Sequence, residues 1–259
     1  MNITNEDLED LRRAKRLLET TSLVARLANA VGRPVETLVT MLPANMSAAA
    51  AAAAEKALHG ALEVAVRSSQ RGRSRHTNVI HKALVGTTGA VGGAFGLAGL
   101  AFELPASTVL MLRSISEIAR SEGESLDSAE AKLACLQVFA LGGPGSQDDA
   151  VESGYFAVRA AMAKALAEAA EHVVAGGVAG PGAPVVARFL AQVAARFGVP
   201  VSQKFMAQAV PVAGAVGGAT INVLFIDHFQ GLARGHFIVR RLERKYGLET
   251  VRTSYASLR

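Results

Sequence analysis

The sequence predicts an all-α protein, a multi-helix bundle with two pseudo-repeated glycine-rich helical hairpins at its core. Three observations predict it. Helical periodicity runs through the chain, and no segment shows the clean alternation of a half-buried strand. Half of the residues (50%) are apolar, yet only 5% are aromatic and there is no Trp, so the apolar content is mostly Ala, Val and Leu. Ala and Leu favour helix, and Ala lets helices approach closely. Finally, the hexapeptide Gly-Ala-Val-Gly-Gly-Ala occurs twice, at Gly89–Ala94 and Gly214–Ala219. Each copy opens a charge-free stretch ending at an acid, Glu103 or Asp227. Each is followed by a basic-tipped amphipathic segment that stops at a glycine, Gly123 or Gly247. This pattern reads as a duplicated helical hairpin whose first helix, a glycine zipper, is built for close backbone contact.

The elements follow in order. Thr4 with Asp7 three residues on is a capping arrangement, with Asp in place of the usual Glu. The helix it opens carries Leu8, Leu11, Leu18 and Leu27 on an apolar stripe, and Gly32 and Pro34 end it. A short segment, Pro34–Leu42, is closed by Pro43. Ser47 then caps a helix running through the polyalanine tract Ala48–Ala54 to about Val66. A polar Arg-rich loop, Arg67–Arg75, comes next. After the first charge-free stretch, Pro105 begins a new helix to about Arg120, since Pro is tolerated in a first turn. Ser128 to Leu141 is helical and is closed by Gly142-Gly143-Pro144-Gly145. Asp148 and Asp149 open another helix that ends near Ala175, where acids complement the positive helix terminus. Gly176–Pro184 is a linker. Pro184–Phe197 is a helix with Arg188 and Arg196 exposed, and a Gly198-Val-Pro turn leads into the second charge-free stretch, Phe205–Ile226, broken or kinked at Pro211. The last helix runs from His228 to Tyr246.

The charge-free stretch Ala83–Phe102 has the length of a bilayer crossing, about 20 residues. Gly89/Gly93 and Gly92/Gly96 give it small-xxx-small spacing. Composition argues the other way, because Ala and Gly dominate, and Thr87, Thr88, Gln208 and Asn222 dilute the apolar character of the two stretches. In a soluble bundle, helices hydrophobic all round are the buried central ones, and that reading is preferred for both stretches.

The chain has 259 residues, enough for one large domain or two small ones. Cys135 is alone, which rules out an intrachain disulfide and fits a reducing compartment. The acidic, polar N-terminus lacks an apolar h-region, so no cleaved secretory signal is expected. The net charge of +5 is modest for the length, but its distribution is uneven. Arg67, Arg71, Arg73 and Arg75, with His76 and Lys82, form one basic cluster. Arg234, Arg240, Arg241, Arg244 and Lys245 form another. Such clusters can contact anionic lipid or nucleic acid, a solvated loop and a solvated helix end being the plainer reading, and without interleaved aromatics the first gives base stacking little support.

No metal-binding Cys/His motif, phosphate loop or nucleophile elbow is present, and no cofactor or metal is expected. Glu103, Asp227 and His228 stand at matching ends of the two charge-free stretches. If these ends meet, two carboxylates and an imidazole could share a proton or gather a cation. The plainer reading makes each acid a helix cap.

The run Gly86-Thr-Thr-Gly-Ala-Val-Gly-Gly-Ala-Phe-Gly followed by Glu103-Leu-Pro, then Leu112-Arg113 leading to Ile118-Ala119, resembles the EcsC family. So do Val210-Pro-Val-Ala-Gly-Ala-Val-Gly-Gly-Ala and Asn222, and the resemblance spans about Ala48 to Gly247. Members are helical bacterial proteins, named for a gene beside an ABC-transporter pair. The resemblance implies a link to membrane transport or envelope processes and supplies no catalytic residues. The segments expected are an N-terminal helical arm (1–46), a helical domain (47–247) and a C-terminal tail (248–259). The expected function is a membrane-associated interaction or accessory protein, cytoplasmic and peripheral to, or partly inserted in, the inner membrane. Its partners would be an anionic membrane surface, a membrane protein or a lipid, with no specific nucleic acid. The alternatives are a hydrolase or metal-dependent enzyme using Glu103, Asp227 and His228, and a lipid- or anionic-polymer-binding protein.

Overall fold

Slim side chains let helices sit close, and the described residues fold entirely as helices with their caps and turns. The computed structural model describes residues 3–19, 23–32, 44–70, 96–142, 154–176, 183–209 and 214–258. Among these the helices are α1 (Asn5–Glu19), α2 (Leu23–Val31), α3 (Ala44–Gln70), α4 (Gly96–Ser121), α5 (Ala129–Leu141), α6 (Gly154–Gly176), α7 (Ala183–Ala209), α8 (Gly214–Tyr246) and α9 (Leu248–Ser257). The all-α, multi-helix bundle is therefore the fold.

Several ends form as local chemistry dictates. Thr4 Oγ1 accepts the Asp7 backbone N–H at 3.3 Å, which caps α1, and donates to Asp7 Oδ2 at 3.1 Å; the Thr4 N–H goes to the Tyr246 hydroxyl at 3.4 Å, so the reciprocal half of a capping box is not made. Ser128 caps α5 by accepting the Ala131 N–H at 3.1 Å. Gly123 (φ 81°) ends α4, with the Glu124 N–H returning to the Ala119 carbonyl and the Gly123 N–H to Arg120. Gly247 (φ 85°) ends α8 with a single bond from its N–H to the Glu243 carbonyl.

Other local signals are overridden. The first helical pattern is divided into α1 and α2, and α3 starts at Ala44, ahead of Ser47. Pro105 begins no helix: it lies inside α4, which continues unbroken to Ser121. The Gly198-Val-Pro segment is no turn, because α7 runs through both Gly198 and Pro200. His228 likewise sits in the middle of α8. An interior Pro costs a helix about 3 kcal/mol. Buried Leu104 and Thr108 flank Pro105, and buried Phe197 and Val201 flank Pro200, so tertiary packing offsets that cost. Consequently each acid at the end of a charge-free stretch lies within one continuous helix, not at a hairpin turn. The second stretch is divided between α7, ending at Ala209, and α8, starting at Gly214, on either side of Pro211. The hexapeptide Gly89–Ala94 lies outside the described residues, as do Asp148 and Asp149. Residues 248–257, read as tail, form α9, which buries Val251 and Tyr255.

Among the described residues, α5 is enclosed on all sides over its last turns, beyond exposed Glu130. Leu133 through Ala140 are all buried, so it has no solvent face there. It contacts α3, α4, α6, α7 and α8. At its C-terminal end Phe139 meets Phe197 (4.8 Å between centroids) and Phe229 (5.4 Å), and Phe229 meets Phe225 edge-on at 5.1 Å. The long helix α8 runs beside this core and touches α1, α2, α4, α5, α7 and α9.

Close glycine packing occurs between α3 and α7. A Cβ on Gly198 would lie 3.0 Å from Ala51 Cα and 3.1 Å from its backbone nitrogen. The polyalanine tract is thus a surface against which a glycine backbone rests directly. Gly198→Val is expected to overpack this contact and cost about 1–3 kcal/mol. In the same helix pair Gly60 is exposed with nothing within 4 Å of its would-be Cβ. Gly60→Ala is expected to stabilise by up to about 1 kcal/mol through helix propensity alone. Thermal melts of the two variants check this, and shifts of the same sign would refute the close contact.

Candidate functional site

The sequence candidates separate. Asp227 is exposed and accepts Arg26 Nη2 of α2 at 2.6 Å. His228, the next residue on α8, points inward and is only 5% exposed. Its ring stands edge-on to Phe229, and its Nε2 lies 3.3 Å from where a Cβ on Gly142 would be, at the end of α5. Neither ring nitrogen has a hydrogen-bond partner. Burial, reinforced by the Arg26 charge, holds the His228 pKa down at about 4, so the ring is neutral at pH 7. Glu103 belongs to α4, but its side chain lies outside the described residues, as does that of Arg67 in α3. Arg71, Arg73 and Arg75 also lie outside them. Among the described residues no group of three or more His, Cys, Asp or Glu could hold a metal. Cys135 is buried in α5, and burial pushes its thiol up to about 12, so it is not nucleophilic.

The second basic cluster is engaged in ion pairs, although Arg244 and Lys245 stay 42% and 57% exposed. Arg240 donates to Glu124 at 2.8 Å and to Glu130 at 3.2 Å. Arg244 pairs with Glu124 and donates to the Glu122 carbonyl at 2.7 Å. Arg241 pairs with Asp10 and Glu122, and Lys245 with Asp7 at 2.7 Å. These cations at the end of α8 are drawn inward by carboxylates from α1 and from the turn after α4. Burial pushes the Glu124 carboxyl up, but Arg240 and Arg244 hold it below the usual range. Hydrogen bonds from Lys245 and Tyr246 hold Asp7 at about 2. Arg196, expected on the surface, is half-buried and donates to the Ala140 carbonyl at 2.8 Å, at the C-terminal end of α5.

A further polar cluster, absent from the sequence candidates, joins α6 to α8. Arg159 donates Nη1 and Nη2 to the two carboxylate oxygens of Glu243, at 2.6 and 2.8 Å. Its Nη1 also reaches the Tyr155 hydroxyl at 3.3 Å, which lies 3.0 Å from His236 Nδ1. His236 is fully buried. The available signal was one of spacing. Tyr155 and Arg159 are one helical turn apart, and His236, Arg240 and Glu243 follow the i, i+4, i+7 pattern, so each set shares a face.

An open concavity of about 470 Å³ lies at the opposite end of α5 from His228. Asp127, Glu130 and Glu171 rim it over Ala129, Ala170 and Val174, and no charged groups of opposite sign converge there. Among the described residues one helix, Pro184–Gln208 within α7, is long and apolar enough to cross a membrane.

The sequence model described as the EcsC protein family matches residues 5–242. The chain therefore belongs to that family, and the match takes in α1 and α2 as well as the glycine-rich segments. No curated protein and no solved structure matches it.

Proposed function

We propose that this EcsC-family chain is a membrane-associated interaction or accessory protein of a bacterial transport or envelope process, meeting the membrane from its cytoplasmic side. The observation that carries the reading is α7, whose Pro184–Gln208 segment has membrane-crossing length and apolarity while 56% of its apolar window is buried. One face of α7 packs Phe189, Leu190, Val193, Phe197 and Val201 into the core. Withdrawing them would cost about 1.5–3 kcal/mol each. Together that rivals the whole stability of a domain, about 5–15 kcal/mol. The magnitude supports surface contact in preference to spanning by the folded bundle. The other face presents Pro184, Arg188, Ala191, Gln192 and Ala195, a mixed face with one cation and one amide.

Arg67, Arg71, Arg73 and Arg75 supply the electrostatic half of this proposal. Each basic side chain near an anionic surface contributes about 1 kcal/mol, screened by salt. Vesicle flotation tests it. The protein is expected to float with vesicles containing phosphatidylglycerol and to stay down with purely phosphatidylcholine vesicles. Replacing the four arginines with Gln is expected to lower partitioning at least about tenfold. Equal binding to both vesicle types, or no change in the variant, overturns the reading.

A further inference from the structure

We propose that Tyr155, Arg159, His236 and Glu243 form an acid-released latch that fastens the N-terminal half of α6 to α8. The hydrogen-bond directions follow from the chemistry of the groups. Arg159 can only donate, so the Tyr155 oxygen accepts from Arg159 Nη1 at 3.3 Å. The Tyr155 hydrogen then points at His236 Nδ1, 3.0 Å away, which accepts it. His236 is therefore neutral and carries its hydrogen on Nε2, a buried atom with no partner. Both carboxylate oxygens of Glu243 are already taken by Arg159.

A proton arriving on His236 Nδ1 would face the Tyr155 hydrogen head-on. Tyr155 could not turn without a new buried acceptor. The imidazolium would also lie among cations. Burial, then Arg159 and Arg240, all act to hold the His236 pKa well below its ordinary value. Among the described residues, the surrounding groups leave no free counter-charge. Glu243 serves Arg159, and Glu124 and Glu130 of the neighbouring turn and α5 serve Arg240. From α9, Tyr255 stacks on Tyr155 at 6.0 Å, and from α1, Lys15 donates to the carbonyls of Tyr255 and Leu258. The closed arrangement excludes the proton, and an opened one accepts it in water.

Elsewhere α6 rests on α5 and α7, burying Met162, Ala165, Leu166 and Ala169. Release would bare apolar surface on those helices. An anionic leaflet at about −30 mV lowers the local pH by about half a unit, which would favour release at its surface. This last step, and only this step, rests on the membrane reading above.

Hydrogen exchange tests the latch in solution, without membranes. With an unfolded-state His pKa of about 6.5, linkage makes the open fraction rise about 30-fold between pH 7.5 and 5.0. After correction for intrinsic exchange, peptides spanning 154–166 are expected to lose protection by that factor and to stay less protected than peptides of α3 at both pH values, because core amides of α3 exchange only when the whole fold opens. His236→Gln keeps an acceptor for Tyr155 but cannot titrate, and is expected to hold the change below threefold. If that variant does not fold, the lower protection of α6 than of α3 in the natural protein decides. Protection in 154–166 that is independent of pH, or equal to that of α3 at either pH, overturns the latch. Flotation at the two pH values is a separate arm. A latch that opens without increased flotation leaves the latch standing and removes the membrane step.

Discussion

Glu243→Ala lowers the unfolding free energy by about 3–5 kcal/mol, read as a fall in the urea midpoint at unchanged slope. The Arg159 and Glu243 side chains are 17% and 12% exposed, so the variant strands a guanidinium that water can barely reach. Its hydrogen bonds to both carboxylate oxygens vanish together. A contrast lies on the same helix: Lys164 and Glu168, 88% and 38% exposed, form a pair worth about 0.5 kcal/mol or less. The double replacement Arg159→Met with Glu243→Leu is expected to recover most of the loss, because both charges leave and apolar groups fill the space. A cost for Glu243→Ala no larger than for Glu168→Ala would show that solvent screens the latch pair. A double variant as unstable as Glu243→Ala would show that the loss comes from packing and not from a stranded charge.

These effects concentrate on α8, and the sequence shows only part of the reason. Helical content, the Thr4 cap, the helix start near Ser128 and the stops at Gly123 and Gly247 were legible because each depends on residues within one turn. The continuity of α4 and α7 was not legible. Pro105 and Pro200 signal a break locally, and only the core contacts of Leu104, Thr108, Phe197 and Val201 overrule it. Charge-free length points to the glycine-rich stretches as buried helices, and residues 83–95 of the first lie outside the described residues; among those described, the enclosed element is short α5, marked only by the run Leu133–Leu141. Close glycine packing occurs among the described residues at Gly198 against Ala51, a position the sequence did not single out for it, while the hexapeptide Gly89–Ala94 lies outside them. The candidate site was least legible. Arg240 to Lys245 read as a solvated helix end or a patch for an external anion because their partners, Asp7, Asp10, Glu122 and Glu124, lie more than a hundred residues away. Likewise Asp227 and His228 share a helix but point to solvent and to the core. Adjacent helical positions are separated by about 100° around the axis.

His228 gives the second large effect, one that depends on pH. In the unfolded chain a His titrates near 6.5, whereas in the fold burial and Arg26 hold His228 at about 4. Between those values the unfolded chain binds a proton that the folded protein refuses. Stability therefore falls as pH falls through this window, by about 1.4 kcal/mol per unit and about 3 kcal/mol over the whole of it. The carboxylates act in a different window: Asp7, held at about 2 against an ordinary 3.8, loses its contribution only below pH 4. His228→Leu removes the titration and also two buried nitrogens that have no partner. It is expected to stabilise the protein by about 1–3 kcal/mol at pH 7. The advantage is then expected to widen by about 3 kcal/mol on going to pH 4. Because His236 is present in both proteins, its own titration cancels in that difference. Urea titrations at half-unit pH steps measure it directly. A difference that stays constant from pH 7 to pH 4 would mean that His228 is protonated as readily in the fold as in water, and the buried, neutral imidazole beside Phe229 and Gly142 would have to be abandoned.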